Sequence, residues 1–577
     1  MSQTASIQPQ ETTPANAGHE THPLSLTPES LEAAHAILHA NSSSYQYLID
    51  RITAPRRALG TGETLKRVAD AASFTCRFHT GRFADGALEN LVLAIGRATG
   101  PTDRPVRERA PGGKLNVLHV ATSVIAIGGH TRMMHRWIAQ DHGNCHSLAL
   151  TRQGRGAIPT WLSDEIASTG GHVLTFGELT SDCERAARLR IEAHDYADLV
   201  VVHHAGTDVI PTLAFAADGG PPVAILNHAD HLFWLGSSVA DLCIDLRSVS
   251  SVHSIARRHI PNTVLLPIPL PAPVDGIDRT AARYKLGIGN DIVMLLTVAR
   301  AVKFRPCGGQ DFMATVETVL DEDQKIHLYV VGETAQGMAR QLGRKLHPRI
   351  HCVGPIEDPA QYRAASDIYV ESFPFGSSTS LLEAALDGLP VVPACRPLSK
   401  LLVASNDSLL DSMTNPADEA EYCERIRTFI RDPQAGQAYG RKLRHELMRY
   451  HVGVMWRSHL QGVYQAAAKL THQPRSIPVT RCETMPSDIG LGLFSAVPDG
   501  QSGSRGAPRP ELAALRHAAF VAKDAQDFRV ARSLSFAALR TDMFGRDTWR
   551  LFLIILLGPL ARAAGEALRR NRQRKAA

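Results

Sequence analysis

The alternation of short apolar runs with helical segments constrains the fold of this chain more than any other feature. The first set of apolar runs is KLNVLHVATS, HSLAL, HVLTF, ADLVVVHH and PVAILNHA, with helical or loop segments between them. Short runs of this kind, bounded by turn residues, are typical of buried parallel strands. Strands that alternate with helices predict a doubly wound α/β sheet over residues 114–268.

A second set of runs follows the proline-rich stretch HIPNTVLLPIPLPAPVDG, which we interpret as a domain boundary. Its members are DIVMLLTVAR, KIHLYVVGE, RIHCVGP, ASDIYVES and LPVVPA. The same argument predicts a second Rossmann-like domain over residues 269–470. Two domains agree with the length of 577 residues, which is too long for a single core.

The segments outside the two domains differ in composition. Residues 1–26 are polar, contain no signal peptide or anchor, and are predicted to be disordered. Residues 27–110 have a helical pattern that begins with a Thr cap followed by Pro and acidic residues. Residues 471–508 are rich in Pro, Gly and Ser, which predicts a linker, and residues 509–577 have the pattern of a helical tail.

Charge and cysteine content exclude some classes of protein. The net charge of +5 is small, and no basic stripe is interleaved with aromatic residues, so we expect no nucleic-acid partner. The nine cysteines form no CxxC pair. This usage is typical of reduced thiols in a cytoplasmic protein and does not indicate a disulfide framework or a zinc site.

The stretch SFPFGSSTSLLEAALDGLPVV places small and hydroxyl residues at the start of a predicted helix. Helix N-termini expose unpaired N–H groups and carry partial positive charge, so Gly376, Ser377, Ser378 and Thr379 could bind a phosphate. Glu383, further along the helix, could accept hydrogen bonds from a ribose diol. A helix that simply prefers a Ser or Thr cap is an equally good explanation of this stretch.

Two cations follow the first strand of the second domain, in TVARAVKFRP. Arg300 and Lys303 should lie at the carboxyl end of that strand, where open α/β sheets bind their ligands. Two cations opposite a helix N-terminus form a clamp for a diphosphate. The alternative is a pair of solvated loop charges.

Together these features resemble the GT-B class of nucleotide-sugar glycosyltransferases. The resemblance covers about residues 115–470, and its most specific element is the late block of Gly and Ser/Thr, then Leu-Glu-Ala, then Gly-Leu-Pro-Val-Val. It implies that the late helix binds the donor diphosphate, that Glu383 binds the ribose, and that no cofactor or metal ion is required. It further implies donor contacts from Gly128 and Gly129, from Arg300 and Lys303, and from the backbone between Val353 and Ile356.

One position departs from the pattern of the retaining members of that class. These enzymes often carry a second Glu eight positions before the ribose Glu, and here Phe375 occupies that position. The block is more similar to that of inverting O-GlcNAc-transferase-like and adhesin-glucosylating enzymes, so the stereochemical outcome stays open. Glu371, twelve positions before Glu383, does not have the required spacing.

The first domain carries histidines at presumed strand ends, and these are the candidates for a general base. An imidazole titrates near neutral pH, so a His or Asp at this edge could take a proton from an acceptor hydroxyl. For each single residue, a structural hydrogen-bonding role is the alternative, and a metal site is a further one. The catalytic candidates are His228, Asp230, His231 and His130. The possible ligands of a metal ion are His203, His204, His228, Asp230 and His231.

The C-terminal stretch joins an apolar run to a basic one. Residues 551–561 are apolar but too few to span a bilayer core of about 30 Å. An apolar segment with a basic flank suits the surface of an anionic membrane, and a packed terminal helix is the alternative. The basic residues are Arg562, Arg569, Arg570, Arg572, Arg574 and Lys575.

The sequence therefore predicts a metal-independent glycosyltransferase of the cytoplasm or of the inner face of a membrane. Its donor would be a nucleotide-diphospho-sugar, and its acceptor a glycan, a lipid-linked group or a protein, in the synthesis of a surface glycan or glycoconjugate. A nucleotide-sugar epimerase of the same fold and a catalytically silent scaffold are the two alternatives.

Overall fold

The computed structural model describes most of the chain from residue 26 to residue 557. The described residues are 26–53, 60–99, 113–177, 179, 181–203, 205–273, 277–396, 412–479, 483–495, 515–516, 519–520, 523, 528–543, 545–546 and 548–557. The prediction of disorder for the N-terminus and the basic residues after residue 561 lie outside them.

The first domain is a parallel sheet of seven strands in the order β3-β2-β1-β4-β5-β6-β7. Its order reverses next to β1, which makes it doubly wound, as the sequence predicted. The strands β6 and β7 were not predicted, because one has only four residues and the other lies inside the proline-rich stretch. The strands are β1 Asn116–Ala121, β2 Cys145–Leu150, β3 Val173–Thr175, β4 Leu199–His203, β5 Val223–Asn227, β6 Leu242–Asp245 and β7 Thr263–Leu265.

The second domain is a parallel sheet of five strands in the order β10-β9-β8-β11-β12. All five of its strands were predicted. They are β8 Val293–Val298, β9 Ile326–Val331, β10 Ile350–Gly354, β11 Ile368–Val370 and β12 Val391–Val392. The predicted fold class, two Rossmann-like doubly wound domains with helical extensions, is confirmed.

Helices cover both sheets, and their apolar faces form the cores. The helices of the first domain are α4 Gly129–Gln140, α5 Thr160–Ser168, α6 Asp182–Tyr196, α7 Ile210–Ala214 and α8 Ser250–Ala256. Those of the second domain are α9 Arg279–Leu286, α10 Phe312–Leu320, α11 Ala335–Leu342, α12 Ala360–Ala365 and α13 Ser378–Leu386. Three further helices follow: α14 Glu419–Arg431, α15 Pro433–Met448 and α16 Gly453–Ala467.

Helix α16 returns to the first domain, although the sequence places it in the second. The Tyr464 hydroxyl accepts a hydrogen bond from Trp137 Nε1 at 3.1 Å and donates one to Asp141 Oδ2 at 2.5 Å. Trp456 Nε1 donates to the carbonyl of Pro267 at 2.7 Å. Side-chain contacts of this kind are not visible in the periodicity of a helix, which shows only that one face is buried.

The N-terminal region is helical, as predicted, with α1 Pro28–Thr53, α2 Thr61–Arg77 and α3 Gly86–Thr99. It is integrated with the first domain. The buried Glu89 carboxylate of α3 accepts hydrogen bonds from the backbone N–H groups of Gly236 at 2.8 Å and Ser237 at 3.1 Å. A buried charge is stable only with such partners, so this contact fixes α3 on the loop before β6.

The prediction of a linker over residues 471–508 is wrong for its described part. His472 Nδ1 lies 2.7 Å from Asp241 Oδ2, and the N–H of Ile477 donates to Asn90 Oδ1 at 2.9 Å. Helix α17, Pro486–Ser495, then packs against α1. The content of Pro and Gly suggested a flexible segment, but the run DIGLGLF supplies enough apolar surface to bury.

The tail contributes helix α18, Phe528–Thr541, and residues 548–557 are also helical. Ala531, Leu534, Ala538 and Ile555 are buried in the same core cluster as strands of the first domain. The opposite side of the last segment leaves Leu553, Ile554, Leu556 and Leu557 between 42 and 51% exposed. Within the described part of the chain, no helix has the length and hydropathy to cross a membrane.

Candidate functional site

The predicted diphosphate clamp and the predicted phosphate-binding helix meet in the second domain. Lys303 follows β8 in a short 3-10 turn, and its Nζ donates to the carbonyl of Gly376 at 2.7 Å and to Ser377 Oγ at 3.0 Å. Arg300 precedes that turn and is exposed. Two strand ends of one parallel sheet thus place a pair of cations beside the start of α13.

The hydroxyl group of Ser377 does not cap α13. Ser377 is at the N-cap position, but its side chain makes no capping hydrogen bond. The backbone N–H groups of Ser378 and Thr379 have no hydrogen-bond partner among the described residues. Unpaired N–H groups at a helix N-terminus, next to two cations, favour the binding of an anion over simple capping.

Sequence reasoning missed the role of Glu371, which follows β11. Its carboxylate is 2% exposed and accepts a hydrogen bond from the backbone N–H of Ser377. Burial raises the pKa of Glu371, while that hydrogen bond and the charge of Lys303 oppose the rise. Burial likewise lowers the pKa of Lys303 to about 8, and the Glu371 charge opposes the fall. An acidic residue that ends an apolar strand was the available signal.

Glu383, the predicted ribose carboxylate, lies on α13 and is 8% exposed. It already forms two ion pairs, one with Arg136 of α4 and one with Arg363 Nη1 at 3.3 Å. Arg136 belongs to the first domain, so this contact joins the two domains beside the donor site. Nothing in the residues around Arg136 indicates that its side chain would reach α13.

The remaining predicted donor contacts lie in loops. Gly128 and Gly129 begin α4, the helix that carries Arg136. A Cβ atom at Gly128 would lie 2.9 Å from Ile125 Cγ1, so this position requires a glycine unless Ile125 moves. Val353 belongs to β10, and Ile356 follows that strand; both are half-buried. Their contact with a nucleotide base stays a prediction.

Asp230 and His231 follow β5 in the first domain. They lie across the cleft between the two domains, opposite the clamp of the second domain. Asp230 is buried, and its carboxylate accepts hydrogen bonds from Arg247 and from the Ser250 hydroxyl. His231 Nδ1 lies 3.4 Å from Asp230 Oδ1. Although burial opposes ionisation, Arg247 and His231 hold the pKa of Asp230 well below its usual range. Asp230 is therefore ionised at neutral pH and is a weak proton acceptor.

His231 faces the cations of the second domain. Its ring contacts the ring of Phe375 edge to face, with 4.7 Å between the ring centroids. Burial lowers the pKa of His231, although the neighbouring Asp230 opposes the fall. With the Nδ1 proton directed at Asp230, Nε2 of the neutral imidazole is available as a proton acceptor.

The other predicted histidines are distributed over two places. The rings of His130 and His228 lie 5.7 Å apart, and His130 Nε2 lies 3.2 Å from the carbonyl of Ser123. His203 is buried, with Nε2 at 2.9 Å from Nδ1 of His119, so it does not join them. His204 lies outside the described residues. Among the residues that the structure describes, no group of three or more His, Cys, Asp or Glu is arranged to hold a metal ion.

A cavity of about 280 Å³ lies between the two walls. His231 and Leu232 line it from the first domain, and Arg300, Lys303 and Phe375 line it from the second. The lining is completed by residues 75–79, by Val302 and Arg305, and by Leu491, Phe494 and Ser495. The general-base candidate and the cations of the clamp therefore face one common space.

Residues 293–432 match the family model of glycosyl transferases group 1. The match contains the five-stranded sheet, both cations and α13. The second domain is thus a glycosyltransferase domain in a chain of two Rossmann-like domains, and sugar transfer is the activity that it brings. A comparison with curated proteins gave no match.

Three solved structures are similar to parts of the chain. HepE from Anabaena, in complex with UDP and glucose, is 19% identical with a TM-score of 0.47 and covers 62% of this chain and 100% of its own. An O-GlcNAc transferase mutant from Thermobaculum terrenum is 14% identical with a TM-score of 0.47 and covers 76% and 84%. The UDP-GlcNAc 2-epimerase from Neisseria meningitidis is 14% identical with a TM-score of 0.38 and covers 61% and 100%. At these scores the three structures do not define the chemistry of the present cleft.

Proposed function

We propose that this protein transfers a hexose from a nucleotide-diphospho-sugar to an acceptor hydroxyl, without a metal ion. The observation that carries the proposal is the convergence of Lys303 with Gly376 and Ser377 at the uncapped start of α13, opposite His231. This arrangement supplies positive charge where a diphosphate would leave and a proton acceptor where a hydroxyl would attack.

The donor would bind with its diphosphate at Arg300, Lys303 and the N–H groups of Ser378 and Thr379. Its ribose would reach Glu383, further along the same helix. Two cations and a helix N-terminus provide the charge that a divalent ion provides in other phosphate sites. We therefore expect transfer to continue in the presence of EDTA.

In the transfer step the acceptor oxygen forms a bond to the anomeric carbon of the sugar. The bond between that carbon and the diphosphate oxygen breaks, and its electron pair stays on the diphosphate. The proton of the acceptor hydroxyl passes to Nε2 of His231. Asp230 keeps the imidazole oriented and stabilises its charged form, and Arg247 holds Asp230 in place.

The proposal extends to location: the tail would bring the enzyme to an anionic membrane surface. The exposed apolar side of residues 551–557 and the basic residues that follow in the sequence support this. A packed terminal helix remains the alternative, since Ile555 is buried against the first domain.

A donor panel tests the proposed reaction. Purified protein is titrated with UDP-, GDP- and dTDP-sugars by calorimetry, and each mixture is assayed for released nucleotide with and without EDTA. Binding of one donor family with micromolar to millimolar affinity, and EDTA-resistant release, is the expected result. Conversion of a free donor into its epimer without release of nucleotide would instead identify an epimerase. A protein that binds no donor would be a scaffold.

A further inference from the structure

The cavity between the two walls is closed by elements that belong to neither Rossmann-like domain. The end of α2 and the two residues after it contribute residues 75–79, and the second half of α17 contributes Leu491, Phe494 and Ser495. The donor contacts proposed above lie in the second domain and at the facing edge of the first sheet. We therefore expect the additional wall to contact the second substrate, which binds beside the donor.

Helix α17 is attached to both sides of the cleft. At its start, Asp488 is fully buried and pairs with His79 Nε2 at 2.7 Å and with Arg257 Nη1 at 3.0 Å, both on the side of the first domain. At its end, the carbonyl of Phe494 accepts a hydrogen bond from Arg305 of the second domain. The helix is thus a fixed wall rather than a loose linker.

The surface of the cavity combines a pair of aromatic rings with cations and with further apolar and polar residues. The rings of Phe375 and Phe494 are stacked with 5.4 Å between their centroids. Lys303 Nζ lies 5.2 Å from the centroid of Phe375, and the Arg305 guanidinium lies 4.4 Å from that of Phe494. The rest of the apolar lining is Cys76, Phe78, Leu232, Val302 and Leu491.

The additional wall, unlike the side with the clamp and His231, offers an incoming sugar few free hydrogen-bond partners. Its neutral polar groups are already paired: Thr75 Oγ1 lies 2.6 Å from Thr80 Oγ1, His79 Nε2 lies 2.7 Å from Asp488 Oδ1, and Ser495 Oγ donates to the carbonyl of Gly492 at 3.0 Å. A buried hexose presents several hydroxyl groups, and each needs a hydrogen-bond partner.

On the basis of the proposed function, we infer that the cavity is the acceptor site and that it takes a hydroxyl group on an apolar ring, a phenol. The ring would lie against Phe375 and Phe494, and its oxygen would face His231 between the cations. The surrounding positive charge favours the phenolate that forms as the proton passes to His231. A small aromatic compound and a tyrosine side chain on an exposed protein segment both offer this chemistry.

The test compares acceptors with the full-length protein and the donor found in the panel. The acceptors are 4-methylphenol, a tyrosine-containing peptide, and methyl glycosides of common hexoses, each assayed for a glycosylated product by mass spectrometry. Transfer to the phenol at least about tenfold faster than to any methyl glycoside is expected. Reaction of the peptide in addition to the phenol identifies a protein acceptor, and reaction of the phenol alone identifies a small-molecule acceptor. Transfer only to a methyl glycoside overturns the inference.

Variants of the wall separate this inference from the proposed function. Phe494→Ala removes half of the stacked pair and should raise the KM for the phenol about tenfold, while donor affinity stays the same. Ser495→Trp narrows the cavity from its rim and should block the phenol without changing donor affinity. The matched control is Phe536→Ala, since Phe536 is 56% exposed on α18 and does not line the cavity.

The outcomes are distinct. Unchanged kinetics with the phenol in both Phe494→Ala and Ser495→Trp would overturn the acceptor assignment, even if the donor still binds. If the wild-type protein binds none of the donors in the panel, the proposed function itself is contradicted. Thermal unfolding shows whether each variant is folded. Ser495→Trp, which removes one hydrogen bond from the Ser495 hydroxyl to the Gly492 carbonyl but no apolar core side chain, keeps the test decisive if Phe494→Ala does not fold.

Discussion

Two buried carboxylates lie on opposite walls of the cleft, and their pKa values move in opposite directions. Asp230 in the first domain is 5% exposed, and Glu371 in the second is 2% exposed. The pKa of Asp230 is held well below its usual range, whereas that of Glu371 is raised. Burial is nearly equal at the two sites, so burial alone does not decide the charge.

The partners of each carboxylate make the difference. Asp230 accepts hydrogen bonds from the Arg247 guanidinium and the Ser250 hydroxyl, and these offset the loss of water. Glu371 accepts one from the backbone N–H of Ser377, while the charge of Lys303 acts on it through space. On the first wall, the ionised Asp230 orients His231. On the second wall, the charge of Glu371 opposes the fall in the pKa of Lys303.

The largest expected effect concerns the wall with the ionised Asp230. His231→Gln should lower the rate of transfer about 10²- to 10⁴-fold, because it removes the proton acceptor. Donor affinity by calorimetry should not change, since the donor contacts lie on the other wall. His142→Gln is the matched control, because His142 is exposed and pairs with Glu165 at the surface. If His228→Gln or His130→Gln abolishes transfer while His231→Gln does not, the base belongs to that second pair of histidines.

The next effect concerns the cations of the other wall. Arg300→Ala and Lys303→Met should each lower kcat about 10²- to 10³-fold, since their charge stabilises the leaving diphosphate. Binding of the free nucleoside, which has no phosphate, should change little. The control Lys325→Met removes an exposed charge before β9 and should be silent. Full activity in a double variant of Arg300 and Lys303 would show that the clamp assignment is wrong.

A third carboxylate extends the comparison. Glu383→Gln should weaken donor binding by about 1.5–3 kcal/mol, or about one to two decades, if its charged oxygens bind the ribose hydroxyls. The sharper measurement uses a donor with 2′-deoxyribose: it should bind weakly to the wild type but show no further loss in Glu383→Gln. Equal and additive losses would mean that Glu383 and the ribose do not touch.

A smaller effect appears in the pH dependence of donor binding. Lys303 attracts a diphosphate only when protonated, so affinity should fall as pH rises through about 8. The negative charge of Glu371 keeps the ammonium protonated, and Glu371→Gln should therefore move this decline to lower pH. Lys303→Arg should remove the decline, because a guanidinium stays charged. A decline that is the same in all three proteins would place its origin elsewhere.

The smallest expected effect concerns the tail. Full-length protein should associate with anionic liposomes more than with neutral ones, and less at high salt. Ile554→Asp combined with Leu557→Asp places charge on the exposed apolar side and should reduce the bound fraction without changing donor affinity. Phe536→Asp, at an exposed position of α18, is the control. Equal flotation of all proteins would leave the tail as a packing helix.

The sequence predicted helices and strands well where a local run of residues is enough to define the element. The apolar runs identified all five strands of the second sheet and five of the seven strands of the first. The Gly and Ser/Thr block and the cations after β8 were placed at neighbouring strand ends by the rule for parallel sheets. What these predictions share is that they depend on residues close together in the chain.

The contacts between distant segments could not be predicted. Arg136 meets Glu383 across 247 positions, and α17 packs against α1 from the other end of the chain. Asp230 was grouped with the histidines as a base, because nothing in the sequence near it shows that Arg247 neutralises it. A pKa depends on which charges are brought within a few ångströms, and this is decided by tertiary structure.

The ion pair between Arg136 and Glu383 has a consequence for selectivity. A ribose that reaches Glu383 would exchange places with a guanidinium, so the observed affinity would be the difference between two interactions rather than the strength of one. A nucleotide with a poor fit would not displace the Arg136 guanidinium from Glu383, and the ion pair between the two domains would stay in place. Arg136 would then act as an internal competitor that sets a threshold for the donor.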